Sequence, residues 1–138
     1  MQKSAFTMIE LVFVIVVLGI LASVAIPRLA VTRDDALIAK GKSNVAAIRS
    51  AIVAERQSRL FRGDNSYITS ANMDNGGLFG GVLTNPITAG TGAGKWAVTT
   101  AGTTYTYTTA SGANTFTYTP ATGTFLCSSG SDCSKLTN

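Results

Sequence analysis

The strongest pattern in the chain is an apolar run close to its start. From Phe6 to Ile26 nearly every residue is apolar, and Glu10 carries the only charge. As an α-helix, these 21 residues span roughly 31 Å at about 1.5 Å per residue, which matches a bilayer core of about 30 Å. We therefore predict a membrane-spanning helix over residues 6–27, in which Gly19 and Pro27 are positions where the helix bends or loosens.

A second helical pattern follows directly. Apolar or small residues recur at three- and four-residue steps, namely Leu37, Gly41, Val45, Ile48 and Ile52, and the basic residues lie mostly on other faces. This pattern predicts an amphipathic helix over residues 28–62 whose apolar stripe packs on a globular domain. Gly63, directly after Arg62, is typical of a helix end in the left-handed conformation.

Residues 63–138 change first to turn-forming residues and then to a period of two. Residues 63–94 are rich in Gly, Asn, Asp and Thr, which indicates a structured loop. Alternating aromatic residues and threonines predict strands at 96–99, 103–109, 115–119 and 124–127, with turns at 101–102, 111–114 and 120–123. We expect an antiparallel meander of three or four strands, and therefore an α+β fold with one long N-terminal helix.

The two faces of this sheet are expected to differ. The aromatic residues of the central strands should face the helix stripe, and the threonines between them should face water; the aromatic residues are Tyr105, Tyr107, Phe116 and Tyr118. A platform for a ligand is the alternative use of this aromatic face.

Charge and composition exclude several classes of function. The 138 residues carry a net charge of +4 and contain no histidine, which excludes a Ser-His-Asp triad and a Cys-His pair; we expect no enzyme, no cofactor and no small-molecule substrate. The basic residues concentrate between Arg28 and Arg62. They form either a solvated helix face or a surface for anionic lipid, acidic partners or nucleic acid.

Two further groups of residues are candidate sites. Cys127 and Cys133 are separated by five residues, a spacing that in a translocated domain indicates a disulfide. The loop also contains an oxygen-rich set that calcium would accept as ligands, namely Asp64, Asn65, Asn72, Asp74 and Asn75. Their spacing matches no calcium loop motif, and ordinary turn-forming residues are the alternative interpretation.

The N-terminus allows two ordinary interpretations. One is a secretory signal peptide, with Lys3 as its basic region and Ser23-Val24-Ala25 as a cleavage site that ends at Ala25. The other is a plain single-pass anchor, oriented with Lys3 on the cytoplasmic side. Neither explains Glu10, because a carboxylate in a membrane-spanning run is unfavourable and usually has a partner and a function.

The octapeptide Ala5-Phe6-Thr7-Met8-Ile9-Glu10-Leu11-Val12 resembles the processing site of type IV pilins and type II secretion pseudopilins. The resemblance implies a leader peptide of residues 1–5, cleavage between Ala5 and Phe6 by a prepilin peptidase, and N-methylation of Phe6. Ala5 stands where the family usually has Gly. Glu10 and Pro27 occupy positions where the family places its acidic residue and often a proline.

The resemblance implies a structural subunit of a filament used in secretion, adhesion, motility or DNA uptake. Its partners would be copies of itself and other pilin-like subunits, the prepilin peptidase, membrane lipid and an inner-membrane assembly platform. The subunit would cross the bacterial inner membrane before assembly and stand in a periplasmic or cell-surface filament afterwards. The new ammonium group at Phe6 would then pair with Glu10 of a neighbouring copy, since a buried carboxylate needs a countercharge. The alternative is a secreted β-rich binding protein cut after Ala25.

Overall fold

The computed structural model describes residues 5–138, so residues 1–4 of the predicted leader, with Lys3, lie outside the described part of the chain. The elements, in chain order, are α1 Met8–Phe61, α2 Ser70–Met73, β1 Trp96–Thr100, β2 Thr104–Thr109, β3 Gly112–Thr119, β4 Thr124–Ser129 and α3 Cys133–Thr137. The chain divides into two compact units, one that ends at Asp35 and one formed by Ala36–Asn138.

The long helix α1 confirms the two consecutive helical patterns of the sequence. It contains 54 residues and runs through both Gly19 and Pro27; the bend expected at these two residues stays a prediction. α1 ends as predicted at Gly63, whose φ is +83°. The N–H of Gly63 donates to the carbonyl of Leu60 at 3.0 Å, and that of Asp64 donates to the carbonyl of Arg59 at 3.0 Å, the paired bonds of a Schellman motif.

The sheet is a four-stranded antiparallel meander in the order β1-β2-β3-β4. Tyr105 lies opposite Phe116 in the β2–β3 pair, and Tyr118 lies opposite Phe125 in the β3–β4 pair. β1 is an edge strand, but its first residue, Trp96, also forms a parallel bridge with Ala89. The preceding loop therefore covers part of an edge that would otherwise offer free backbone groups to another strand.

The core of the second unit joins the helix stripe to one face of the sheet. Gly41, Val45, Ile48 and Ile52 are the buried residues of α1, as the sequence predicts. The four aromatic residues expected to face the helix, Tyr105, Tyr107, Phe116 and Tyr118, are each at most 1% exposed. Phe79, which was not among the predicted core residues, also belongs to the core, and its ring contacts Trp96, Tyr105 and Phe125 with centroids 4.3–5.6 Å apart.

Gly41 is a point of close approach between α1 and the sheet. A Cβ atom at this position would overlap the ring of Tyr107 and Cδ2 of Leu136, so only glycine fits there. One turn earlier, the hydroxyl of Tyr107 donates a hydrogen bond of 2.6 Å to the carbonyl oxygen of Leu37. The helix is therefore held by a backbone contact and a hydrogen bond at neighbouring positions of one face.

The glycine-rich loop before the sheet is organised around the carboxylate of Asp74. This carboxylate accepts hydrogen bonds from the backbone N–H of Phe79 at 3.1 Å, the backbone N–H of Gly102 at 2.8 Å and the hydroxyl of Tyr105 at 3.1 Å. Burial, with the nearby Asp74 carboxylate, raises the pKa of Tyr105 well above its usual value and keeps the hydroxyl protonated as a donor. Asp74 thus connects the loop to the turn after β1 and to β2.

The C-terminal segment is attached by a disulfide and by a buried polar network. Cys127 and Cys133 are bonded, with their Cα atoms 5.5 Å apart, which confirms the predicted pair. Asp132 is 1% exposed, and its carboxylate accepts hydrogen bonds from Thr109 Oγ1 at 2.6 Å and from Lys135 Nζ at 3.0 Å. These hydrogen bonds lower the pKa of Asp132.

Two expectations about the sheet were wrong in detail. The predicted turn at 111–114 is shorter, because β3 begins at Gly112. Asn114 is fully buried and its side-chain oxygen accepts a hydrogen bond from the backbone N–H of Asp132 at 2.9 Å, so a side chain typical of turns here satisfies a buried donor. The threonines do not all face water, since Thr109 is only 3% exposed and donates to Asp132.

Candidate assembly site at the N-terminus

The first turn of α1 is closed by a reciprocal pair of hydrogen bonds between Thr7 and Glu10. The backbone N–H and the hydroxyl of Thr7 both donate to Glu10 Oε2 at 2.7 Å, and the backbone N–H of Glu10 donates to Thr7 Oγ1 at 3.3 Å. This is a capping box, in which Thr7 is the N-cap residue and Glu10 the third helical residue. Its sequence signature, Thr-x-x-Glu before an apolar run, was present at residues 7–10 and was not used in the sequence analysis.

The predicted processing site lies directly before the capping box. Helix α1 begins at Met8, so Ala5 and Phe6 precede it and lie on exposed, non-helical backbone. The Phe6 side chain is 89% exposed. The bond between Ala5 and Phe6 is therefore accessible in this structure. Glu10 lies about one helical turn from Phe6, with its carboxylate exposed.

The helix behind this site presents apolar side chains on all sides. Its most apolar 18-residue window has a mean hydropathy of 2.9 and contains no buried residue in this structure. By length and composition this helix can cross a membrane, although a signal sequence has the same properties. An all-round apolar helix needs lipid or other helices around it.

Pro27 and Gly19 lie within this apolar part of α1. Because Pro27 has no N–H, the carbonyl of Ser23 lacks its usual helical donor. Nearby hydroxyls bond to backbone carbonyls instead of to solvent: Ser23 donates to Ile20 at 2.7 Å, and Thr32 donates to Arg28 at 3.0 Å. Such bonds let polar side chains occupy an apolar helix at little cost.

The candidate calcium ligands have other partners. Both carboxylate oxygens of Asp74 accept the hydrogen bonds described above. Asp64 accepts a hydrogen bond from the backbone N–H of Ser66 at 2.9 Å and pairs with Arg59 at 3.3 Å; these contacts, the Ser66 bonds foremost, lower its pKa. Asn72 is exposed, and residues 5–138 contain no cluster of three His, Cys, Asp or Glu side chains arranged for a metal.

Several residues of the basic stretch bind within the protein and do not form a uniformly solvated face. Arg49 Nε donates to the carbonyl of Phe125 at 2.9 Å, and Lys40 Nζ donates to the carbonyl of Gly94 at 2.9 Å. Arg59 pairs with Glu55 at 3.1 Å on the same helix. These bonds attach α1 to β4 and to the loop before β1, so the stretch has structural contacts that its charge pattern did not indicate.

Comparison with known proteins identifies the N-terminal segment. Residues 1–26 match the family described as "Prokaryotic N-terminal methylation motif". The N-terminal segment is similar to this methylation motif. The match contains Phe6 and Glu10, and it ends one residue before Pro27.

Two known proteins are similar to part of the chain. The type II secretion system core protein G of Pseudomonas aeruginosa is 39% identical over 51 residues, which are 37% of this chain and 36% of that protein. The type IV narrow pilus major component PilA5 of Thermus thermophilus is 45% identical over 51 residues, which are 37% of this chain and 44% of that protein. The match thus spans less than half of either relative. No solved structure matches.

Proposed function

We propose that this chain is a structural subunit of a pilus-like filament, cut before Phe6 by a prepilin peptidase and N-methylated at the new terminus. The main support for this proposal is the match of residues 1–26 to the methylation motif. In this structure Phe6 is exposed just before the apolar helix, and Glu10 belongs to the capping box that begins it. The precursor is inserted in the inner membrane with its N-terminus in the cytoplasm, and an inner-membrane platform assembles it. No catalytic role is proposed for the subunit.

Packing the apolar helices together provides the driving force for assembly. The exposed apolar side chains of α1 contact lipid before assembly and other helices afterwards, where close packing replaces lipid contacts. Cleavage creates an ammonium group at Phe6, and Glu10 of a neighbouring copy supplies its countercharge. Phe6 lies four residues before Glu10, and the first two of these steps precede the helix. Pairing between copies therefore requires an axial stagger of roughly 6–10 Å, from four helical steps to two extended and two helical ones. The pair therefore sets the register of neighbours as well as attracting them.

The capping box makes a matched pair of variants available for the test. Glu10→Gln retains a side-chain oxygen that accepts the Thr7 bonds, because Gln also forms capping boxes, but it removes the charge. Glu10→Val removes both. If Glu10 acts through its charge, both variants insert in the membrane and both lose filaments. If it acts only as a helix cap, Glu10→Gln assembles like the wild type, which would contradict the proposed pairing.

The intact mass of the mature protein tests the processing step independently. A chain that begins at Phe6 and carries one added methyl group supports the proposal. The alternative, a secreted β-rich binding protein, predicts a start at Ile26, directly after Ala25. Retention of the first five residues in protein from the native host would contradict both interpretations.

The two relatives differ in system, since one is named for type II secretion and the other for a type IV pilus. Both uses need the same N-terminal chemistry and the same exposed apolar helix. DNA uptake rests only on the basic residues of α1, several of which bind within the protein. We therefore propose a filament role for this chain and assign it to neither system.

A further inference from the structure

A cavity of about 380 Å³ lies between α1 and the loop before β1 and is lined by Lys40, Asn44, Ile87, Thr88, Lys95 and Trp96, together with Gly94. Lys40 uses one ammonium proton for the carbonyl of Gly94, at 2.9 Å, which leaves two protons for another acceptor. Lys95 is exposed and lies over Gly90. Neither lysine forms an ion pair with any residue in 5–138.

The lining is rich in donors and contains no carboxylate. Trp96 is 1% exposed, and its indole N–H is buried without a hydrogen-bond partner in the described part of the chain. Two ammonium groups at one partly enclosed site repel each other and favour an anion between them. A carboxylate suits this lining, since each ammonium group can donate to one of its oxygens.

The same chain carries two carboxylates that have no partner among the residues that the structure describes. Asp34 and Asp35 are exposed on α1 and form no ion pair among residues 5–138. Their neighbours three and four positions away on the helix are all uncharged, namely Ala30, Val31, Thr32, Leu37, Ile38 and Ala39. The usual pairing along one helix is therefore excluded.

We propose that the cavity at Lys40 and Lys95 of one copy receives the Asp34–Asp35 carboxylates of a second copy in the filament. This inference rests on the proposed function. It joins two different patches of the same chain, and such a heterologous contact produces an open polymer, unlike a contact between identical patches.

The spacing along α1 supports this pairing. Lys40 follows Asp34 and Asp35 by six and five residues, which corresponds to a stagger of about 8–9 Å between copies. This lies within the roughly 6–10 Å required by Phe6 and Glu10. The direction also agrees, since in both pairs the lower-numbered residue of one copy meets the higher-numbered residue of the other. The same two neighbours can therefore form both contacts.

Charge reversal and its rescue test the pairing. We expect Lys40→Glu with Lys95→Glu, and separately Asp34→Lys with Asp35→Lys, each to lower filament yield roughly tenfold. Combining all four changes restores opposite charges and should recover most of the yield. Lys42→Glu, a reversal at an exposed lysine of the same helix that does not line the cavity, is the matched control and should assemble normally. No recovery in the combined variant, with the fluorescence of Trp96 unchanged, overturns the inference and points to lipid phosphate or another anion at the lysines.

Cysteine cross-linking supplies a second readout. In filaments of the Asp35→Cys, Lys95→Cys double variant, oxidation should produce a ladder of dimers, trimers and higher multimers on a non-reducing gel, because each copy contacts the next. Each single variant should give no ladder. Filaments without a ladder overturn this inference and leave the proposed function intact, whereas a wild-type chain that forms no filaments refutes both.

Discussion

The carboxylate of Asp74 allows a quantitative test of how the glycine-rich loop is held. Replacing Asp74 by Ala leaves three donors without their acceptor: the N–H of Phe79, the N–H of Gly102 and the hydroxyl of Tyr105. All three residues are buried. An unsatisfied buried donor costs about 1–3 kcal/mol, and Asp74 itself is half-buried, so we expect a loss of about 3–4 kcal/mol in the free energy of unfolding. This loss is a large share of the free energy of unfolding of a typical domain, which is roughly 5–15 kcal/mol.

A double-mutant cycle separates the Tyr105 bond from the two backbone bonds. Tyr105→Phe removes one donor and should cost about 1 kcal/mol. Because Asp74 and Tyr105 are in direct contact, the double variant Asp74→Ala, Tyr105→Phe should be about 1 kcal/mol more stable than the sum of the single changes predicts.

The assay is urea unfolding of the full chain in detergent micelles, followed by the fluorescence of Trp96. Trp96 is the single tryptophan and is fully buried in the core of the second unit, so its signal reports that unit and not the apolar helix. Asn75→Ala is the matched control, since Asn75 is an exposed residue of the same loop and has no role in holding these donors; its unfolding midpoint should match that of the wild type. A loss below about 1 kcal/mol for Asp74→Ala would show that water or a rearranged loop satisfies these donors, and the reasoning would then fail.

Three further outcomes are expected. The hydrogen bonds of Asp132 lower its pKa below the usual 3.8. The stabilising contribution of its carboxylate is therefore present above about pH 4 and is lost as the pH falls through the lower native pKa. The difference in the free energy of unfolding between the wild type and Asp132→Asn should accordingly shrink in acid. Reduction of the Cys127–Cys133 bridge should lower the free energy of unfolding by about 2 kcal/mol, given its short loop, and an unchanged urea midpoint with dithiothreitol would contradict this. Chelator should leave the thermal midpoint unchanged, because the Asp74 oxygens already accept protein donors; a shift would indicate a bound cation.

The sequence predicted correctly those elements in which apolar residues recur along the chain with the same period as the buried positions of the structure. The stripe of α1 recurs every three to four residues and is buried at Gly41, Val45, Ile48 and Ile52. The strands alternate, and their aromatic residues lie on the buried face. The end of α1 at Gly63 followed from the conformational freedom of glycine.

The features that the sequence did not predict depend on contacts between distant residues. Phe79 lies between glycines and has a φ of +59°, which is unusual for a bulky residue, yet its ring is fully buried. No local pattern announces that Asp74 bonds to Gly102, which lies 28 residues away. Asn114 continues the inward-facing period of β3, although asparagine shortly after a glycine is more typical of a turn.

At the candidate assembly site, the sequence indicated the features close to the N-terminus but not the cavity at Lys40 and Lys95. The Phe6–Glu10 pair followed from the resemblance, and the capping box was present as Thr7-x-x-Glu10. The cavity at Lys40 and Lys95 has no sequence signature, because it forms where α1 meets a loop that is distant along the chain; the Lys40–Gly94 bond spans 54 residues.

The contact at Gly41 determines where mechanical load would enter the globular part of the subunit. A pull on the N-terminal side of α1 reaches that part first at Leu37 and Gly41, which touch Tyr107 and Leu136. Tyr107 belongs to a central strand, and Leu136 belongs to a helix fastened by the Cys127–Cys133 disulfide to β4. Tension along the helix is therefore shared between β2, which is hydrogen-bonded to a strand on each side, and α3, which is covalently linked to β4. The first contacts to be loaded are thus among the best supported in the domain.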